Sequence, residues 1–286
     1  MAIEQMTIDQ LMVDAIDLHV HGAPEPILGQ RRINAFQLAQ LAKDAGMKAI
    51  VVKSHEFGTA TMAWIVNRLV NSPILVGSIC LNSGAGGLSP DVVEAQARAG
   101  ARVIWMPTMR TMAKGIANGA GKGIWIIDKN GKLVPQIGMI LEVMKKNKQV
   151  LATGHISNPE VFAVAAEALR QQVNVIVTHP FGSAGIFTIE EVKELAKIGA
   201  YIEFTFAHCM PPMVISPADM VSHIKTIGID HCVLATDFGQ GFNPPATEGF
   251  RMMLGMMLKF GLSEDELRIL VKVNPANLLG QSPVYL

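Results

Sequence analysis

Two hydrophobic rhythms alternate along this chain. Short, nearly continuous apolar runs rich in Val and Ile recur, and between them apolar residues return every three or four positions. The first rhythm suits strands buried on both faces, and the second suits amphipathic helices packed over them. Strands are predicted over residues 15–21, 48–55, 74–81, 102–108, 149–155, 174–179, 201–206 and 232–237. Helices are predicted over 34–46, near 61–70, from a start at Ser89-Pro90-Asp91, and over 135–147, 159–171, 188–199, 217–228, 247–260 and 263–279. In the first helix Phe36, Leu38, Leu41 and Ala42 suit one face, and Gly46 suits the position after its end. Strand–helix alternation argues for a parallel sheet. Eight such units in this length argue for an α/β fold of the closed (β/α)8 TIM-barrel type, ahead of an open doubly wound sheet.

The rhythm lapses over residues 109–134, which are rich in Gly, Lys and Asn. Asn130-Gly131 between apolar arms is a hairpin signal. The region reads as a β-hairpin insertion after strand 4, distorting an otherwise regular barrel, and as a candidate lid. Nothing else marks a boundary, so residues 1–286 are expected to form one domain.

The apolar runs end in chemistry. The first closes in Asp17-Leu18-His19-Val20-His21, and residues two apart on a strand share a face. The others end in Lys53-Ser54-His55, Gly154-His155, Thr178-His179 and Thr236-Asp237. In a (β/α)8 barrel the C-terminal strand ends form one rim, where active sites sit. Imidazoles and a carboxylate gathered there make a set able to hold a divalent cation.

Composition narrows the class. Half the residues are hydrophobic, 17% are charged and the formal net charge is +0, so nothing favours nucleic acid or an anionic membrane. Residues 1–10 lack the basic start and apolar core of a secretion signal, and no apolar run reaches the length of a membrane span. Cys80, Cys209 and Cys232 show no CxxC spacing and read as reduced thiols. A cytoplasmic protein with a small-molecule partner is expected. Met252, Met253, Met256 and Met257 suit either adaptable core filling or a subunit contact, which would make a homo-oligomer.

The order HxH, His, His, Asp over strands one, five, six and eight resembles the amidohydrolase superfamily. The tail Asn274-Pro275-Ala276-Asn277-Leu278-Leu279-Gly280 is also similar to a segment of these enzymes. The resemblance spans nearly the whole chain and identifies no subfamily. It implies one or two divalent ions, zinc first, with Mn, Fe or Ni as alternatives. His19, His21 and Asp237 would hold one ion, and His155 and His179 the other. A hydroxide activated by the metal would cleave an amide, lactone or other ester bond, with Asp237 as the proton acceptor.

One departure bears on the second ion. Many two-metal members carry a bridging carboxylated Lys or a Glu after strand 4, where this chain reads Arg102-Val103-Ile104-Trp105-Met106-Pro107-Thr108. Lys53 is the substitute, as a carboxylated lysine bridging two metals. An ion pair with Asp17 or Glu56, or an ammonium group that binds substrate, are the other readings of it. Glu203 is a weaker alternative bridge. His55 reads as a ligand, a substrate contact or a partner behind the ligands, and Arg110 and His208 read as substrate contacts. Loop Ser83–Gly87 reads as a tight turn or an anion cradle, Trp105 as core, and His223 and His231 as structural. Two other functions remain open: a metal-assisted lyase, such as a decarboxylase or hydratase, and a metal-binding protein without catalysis.

Overall fold

A computed structural model describes residues 2–25, 29–109, 123–182 and 187–280. Eight parallel strands follow one another around a single sheet: β1 Ile16–His21, β2 Ala49–Lys53, β3 Leu75–Cys80, β4 Ala101–Trp105, β5 Val150–Ala152, β6 Val175–Val177, β7 Tyr201–Thr205 and β8 Cys232–Ala235. Every neighbouring pair from β1 to β8 is parallel. The ring closes just beyond β8, where Asp237 N donates to His19 O at 2.8 Å and His21 N donates to Phe238 O at 2.7 Å. The fold is the (β/α)8 barrel that the two rhythms predict.

The connecting helices include Ala35–Asp44, Ala60–Leu69, Pro90–Arg98, Pro135–Lys146, Asn158–Arg170, Ile189–Lys197, Pro217–Ile227 and Ala246–Lys259. Their starts obey local chemistry. Asn34, Thr188 and Ser263 each close a capping box, in which the cap side chain and the third helical residue satisfy each other's backbone amides. Two elements depart from the sequence expectation. Residues 2–12 form an additional helix, Ala2–Met12, whose weak amphipathic pattern gave no signal. The segment 263–279 is not one helix but Glu264–Arg268, a wider π turn at Ile269–Val273, and Asn274–Leu279. Pro275 lies at the first turn of the last piece, where its missing N–H costs least.

Between strand 4 and the next helix, the described residues show one antiparallel bridge, Ile127 to Leu133. The turn between them is held by Asp128, whose Oδ1 accepts from Asn130 N and Lys132 N. Residues 110–122 of the expected insertion lie outside the described residues. Met253 and Met257 are buried, while Met252 is exposed, so the methionine cluster is only partly core. Cys80 and Cys232 are buried and unpaired thiols. No helix among the described residues is long and apolar enough to cross a membrane.

The apolar residues fall into two layers. Ile16, Leu18, Val51, Val76, Val103, Trp105, Val150, Ile176 and Val233 pack inside the ring, with Leu278 and Leu279 of the last helix. Ile50, Val52, Ile104, Leu151, Val175, Ile202 and Leu234 pack outward against the helices. Side chains reverse direction at each residue of a strand. Val51 therefore predicts an inward Lys53, Tyr201 an inward Glu203, and Val233 an inward Asp237. By the same parity His155, His179 and His19 should point outward. Backbone irregularities reset them. The β1–β2 register slips between Asp17 and Val20. Gly154 has φ 60° and His179 itself φ 26°, so the chain turns just where each histidine is presented. At Gly154 a Cβ would stand 2.3 Å from Met106 O, which excludes any other residue.

Candidate metal centre

His19 and His21 both face Asp237. Nε2 of His19 lies 3.1 Å from Asp237 Oδ1, and Nε2 of His21 lies 3.3 Å from the same atom. Each ring is oriented from behind. His19 Nδ1–H donates to Glu203 Oε2 at 3.2 Å, and His21 Nδ1–H donates to Glu25 Oε2 at 3.0 Å. A proton fixed on Nδ1 leaves Nε2 as the nitrogen with the lone pair. Glu25 is itself held by the Arg31 guanidinium and accepts from His55 N at 2.6 Å.

The other strand ends complete a continuous run of imidazoles. Ring centroids are 4.9 Å apart for His21 and His55, 6.0 Å for His55 and His155, 5.1 Å for His155 and His179, and 5.8 Å for His179 and His19. His208 joins at 4.8 Å from His179. Here too Nδ1 has a protein partner: Thr108 O for His155 at 2.6 Å, Thr108 Oγ1 for His55 at 2.7 Å, and Thr205 Oγ1 for His208 at 2.6 Å. Thr108 is fixed in turn by Asn82, whose Nδ2 donates to Thr108 Oγ1 at 2.8 Å and whose Oδ1 accepts from Thr108 N at 2.9 Å. His208 packs directly on the chain at Gly182, where a Cβ would stand 2.4 Å from its ring.

Lys53 is almost fully buried. Its Nζ lies 2.9 Å from His19 Nε2 and 4.3 Å from the centre of the Trp105 ring. Trp105, expected as core, is core, but its face also floors the site beneath His19 at 4.6 Å. Neither expected ion-pair partner of Lys53 is in place. Asp17 is turned to the seam, where it accepts from Thr236 Oγ1 at 2.6 Å and Thr236 N at 3.0 Å. Among the described residues no carboxylate lies within ion-pair distance of Lys53. Glu203 touches the far nitrogen of His19 rather than the Nε2 side, so it stands where a carboxylate orients a ligand and not where one bridges two ions.

Charges follow these contacts. Burial raises the Asp237 carboxyl, but the His19 and His21 imidazoles overcome it and hold the group well below the usual carboxylate range. Burial lowers His19, yet Asp237 and Glu203 on either side raise it above the ordinary imidazole value, against the opposing charge of Lys53. Burial drives His55 and His179 down, so both imidazoles are neutral. Burial also raises Asp17 to about 7, against the hydrogen bonds from Thr236 and His19.

Of the residues singled out in the sequence, His19, His21, Lys53, His55, His155, His179, His208 and Asp237 meet at this rim. Arg110 lies outside the described residues. Sequence reasoning missed Glu25, Asn82, Thr108 and Thr205, which orient the rings. Only Glu25, four residues past His21 in a His-Gly-Ala-Pro-Glu run, had a spacing that could have drawn notice.

Residues 14–203 match the model of a family of unknown function, DUF6282. The chain belongs to that family. No curated protein matches it. Solved structures share the fold of this DUF6282 chain at low identity. An amidohydrolase from Pseudomonas aeruginosa is 14% identical with TM-score 0.63, over 96% of this chain and 98% of that one. A phosphotriesterase homology protein from Escherichia coli, complexed with phosphate in its active site, is 13% identical with TM-score 0.58, over 93% and 99%. Dipeptidase AC, a metallo peptidase of family M19, is 14% identical with TM-score 0.61, over 96% and 100%. The (β/α)8 barrel expected from the sequence is therefore the fold this DUF6282 member has, and these structures share it.

The donor set in the DUF6282 chain fits a divalent ion. His19, His21 and Asp237 each offer a ligand atom within 4.8 Å of the others. A raised imidazole between two carboxylates holds a proton where an ion would otherwise balance their charge. His21, Glu25 and His55 also offer atoms within 4.8 Å of one another. There the Arg31 guanidinium already neutralises Glu25 and opposes a second cation.

Proposed function

We propose that this chain is a metal-dependent hydrolase that cleaves an amide, lactone or other ester bond of a small molecule in the cytoplasm. The observation that carries this reading is the convergence of imidazoles and Asp237 at one barrel mouth, with the Nδ1 atoms of His19, His21 and His155 each meeting a protein acceptor. His19, His21 and Asp237 would hold one ion, zinc by preference, and His155 and His179 a second. A bound ion supplies Lewis acidity and a water acidified toward neutral pH.

The chain's own groups do the rest. Asp237 is ionised, touches both β1 rings through one oxygen, and is placed to take a proton and return it to the leaving group. Lys53 ends at His19 Nε2, so its amine lies among the ligands. As an ammonium it would repel an ion there. As a carbamate, with carbon dioxide bonded to Nζ and the proton released, it would bind one, and Lys53 is proposed in that role. His208 and Arg110 are proposed to contact substrate.

The test is metal analysis of chelator-free protein together with turnover of a lactone, amide and phosphoester panel in 18O-labelled water. Hydrolysis places solvent oxygen in the product. Protein that neither holds nor is stabilised by zinc, manganese, iron or nickel would overturn the reading.

A further inference from the structure

We infer that Glu203 is a positioning residue for two histidines at once, holding His19 directly through Oε2 and His179 through Oε1 by way of one buried water. The inference rests on the proposed metal site and names the group that orients its fourth imidazole.

A gap in the pattern of the rings is the starting point. His19, His21 and His155 each meet a protein acceptor at Nδ1. His179 does not. It is buried, and among the described residues its Nδ1 has no protein hydrogen-bond partner. Burial keeps this imidazole neutral, so it carries a single N–H on one of its two nitrogens. A ligand needs that choice made, because the proton must lie on the nitrogen turned away from the ion.

A matching gap lies beside it. Glu203 is fully buried, and its Oε1 has no protein partner, while Oε2 serves His19. An unpaired oxygen on a buried carboxylate is costly. The strands bring the two residues together. β6 and β7 pair in parallel at Val177 and Ile202, so Thr178 and Glu203 come next, with His179 one residue further. The His19 and His179 rings are stacked, 5.8 Å apart and 18° from parallel, with Glu203 at the edge of the first.

Both residues line one small cavity, shared with His208 and the apolar Phe204, Ile215 and Met220. The room there for the centre of a water-sized sphere is about 10 Å³. That is near the least that holds one water, and a buried water needs two or more polar partners. Thr205 Oγ1 and His208 Nδ1, on the same lining, already serve each other at 2.6 Å. Glu203 Oε1 and His179 Nδ1 are the buried side-chain atoms of this lining without a protein partner. A water between them donates to Oε1 and accepts from His179 Nδ1–H. His179 Nε2 then keeps its lone pair, as Nε2 does in the other three rings. One carboxylate thereby sets a ring in each proposed half-site, His19 in the first and His179 in the second.

The experiment uses the full metal-free chain labelled with 15N-histidine at pH 8. Long-range 1H–15N spectra read which nitrogen of His179 carries the proton, and H179Q assigns its signals. E203L and E203M remove both oxygens while filling most of their space. The expected result is a proton on Nδ1 in the wild type, and its transfer to Nε2 in at least half of the molecules of either variant. Chelator competition with zinc then reads the consequence. Each variant should weaken by at least about tenfold the ion that H179Q loses, as well as the ion held by His19. Circular dichroism and the unfolding midpoint confirm the fold, and E203M serves if E203L does not fold. A His179 proton on Nε2 in the wild type, or one that stays on Nδ1 in a folded variant, would overturn the inference and leave the hydrolase reading intact. So would an ion that is lost with H179Q yet keeps its wild-type affinity in E203L or E203M. A wild type that binds no metal would overturn the hydrolase reading instead, and the position of the proton would then decide the inference alone.

Discussion

Glu203 Oε2 accepts a hydrogen bond from His19 Nδ1 at 3.2 Å, on the side of the ring opposite Asp237. The pair decides which nitrogen of His19 can meet an ion. E203Q keeps the shape and can present its amide nitrogen to Nδ1, favouring the wrong tautomer. It is expected to weaken metal binding by roughly 10- to 100-fold, about 1.4–2.7 kcal/mol. Competition with a chelator measures this. Unchanged affinity would show that Glu203 has no hold on His19.

In the proposed function Asp237 takes part in both ion binding and proton transfer. D237N is expected to lower kcat by about 10²- to 10⁴-fold even when metal is supplied in excess. The measurement is turnover at saturating metal, with occupancy checked in the same sample. A variant that is fully loaded and fully active would remove Asp237 from the chemistry.

Metal should stabilise the native barrel, because the ligands converge only when it is folded. At a concentration about 100 times its dissociation constant, an ion binding only the native state adds about 2.7 kcal/mol. A chelator should lower the unfolding midpoint, and zinc should restore it. A midpoint indifferent to both would contradict a resident ion.

Asp17 gives a pH dependence of known sign in the metal-free protein. Its carboxyl rises from 3.8 to about 7 on folding. Between those values the native state holds a proton that the unfolded chain has released, so stability falls as pH rises through the window. D17N abolishes that titration and should flatten the profile, with its relative gain greatest above pH 7. Urea midpoints at pH 5 and pH 8 for both proteins test this. Parallel profiles would show that Asp17 does not titrate there.

Gly182 separates substrate contact from ion binding. A methyl group at this position meets the His208 ring at 2.4 Å. G182A should displace His208, raising KM while leaving metal affinity within about twofold. A loss of metal would instead make His208 a ligand. Both are read from one preparation by steady-state kinetics and chelator competition.

The sequence was legible where periodicity and chemistry coincided. Lys53 and Asp237 stood out by residue type at the ends of apolar runs, and their inward placement agrees with the parity of Val51 and Val233, although Asp237 itself has φ 54°. His155 and His179 were found by residue type although their parity is wrong. Only the structure shows that left-handed backbone at Gly154 and His179 turns them inward. Thr108 and Thr205 were invisible for a different reason. Threonines carry no pattern, and their work lies in the second nitrogen of a histidine, which spacing does not report. The helix Ala2–Met12 was missed because its polar and apolar residues do not segregate to faces.

Asp17 and Thr236 fasten the two ends of the sheet to each other at the place where His19 and Asp237 meet. The first ion would then bridge residues 218 positions apart, contributed by the opening and final strands. Two of its three donors exist once β1 is made, but the carboxylate arrives only when the circle is joined. Cation uptake should therefore be among the last events of folding, and the ion would act as a clasp on the finished ring. A chain shortened before β8 would keep most of its imidazoles yet lose this hold.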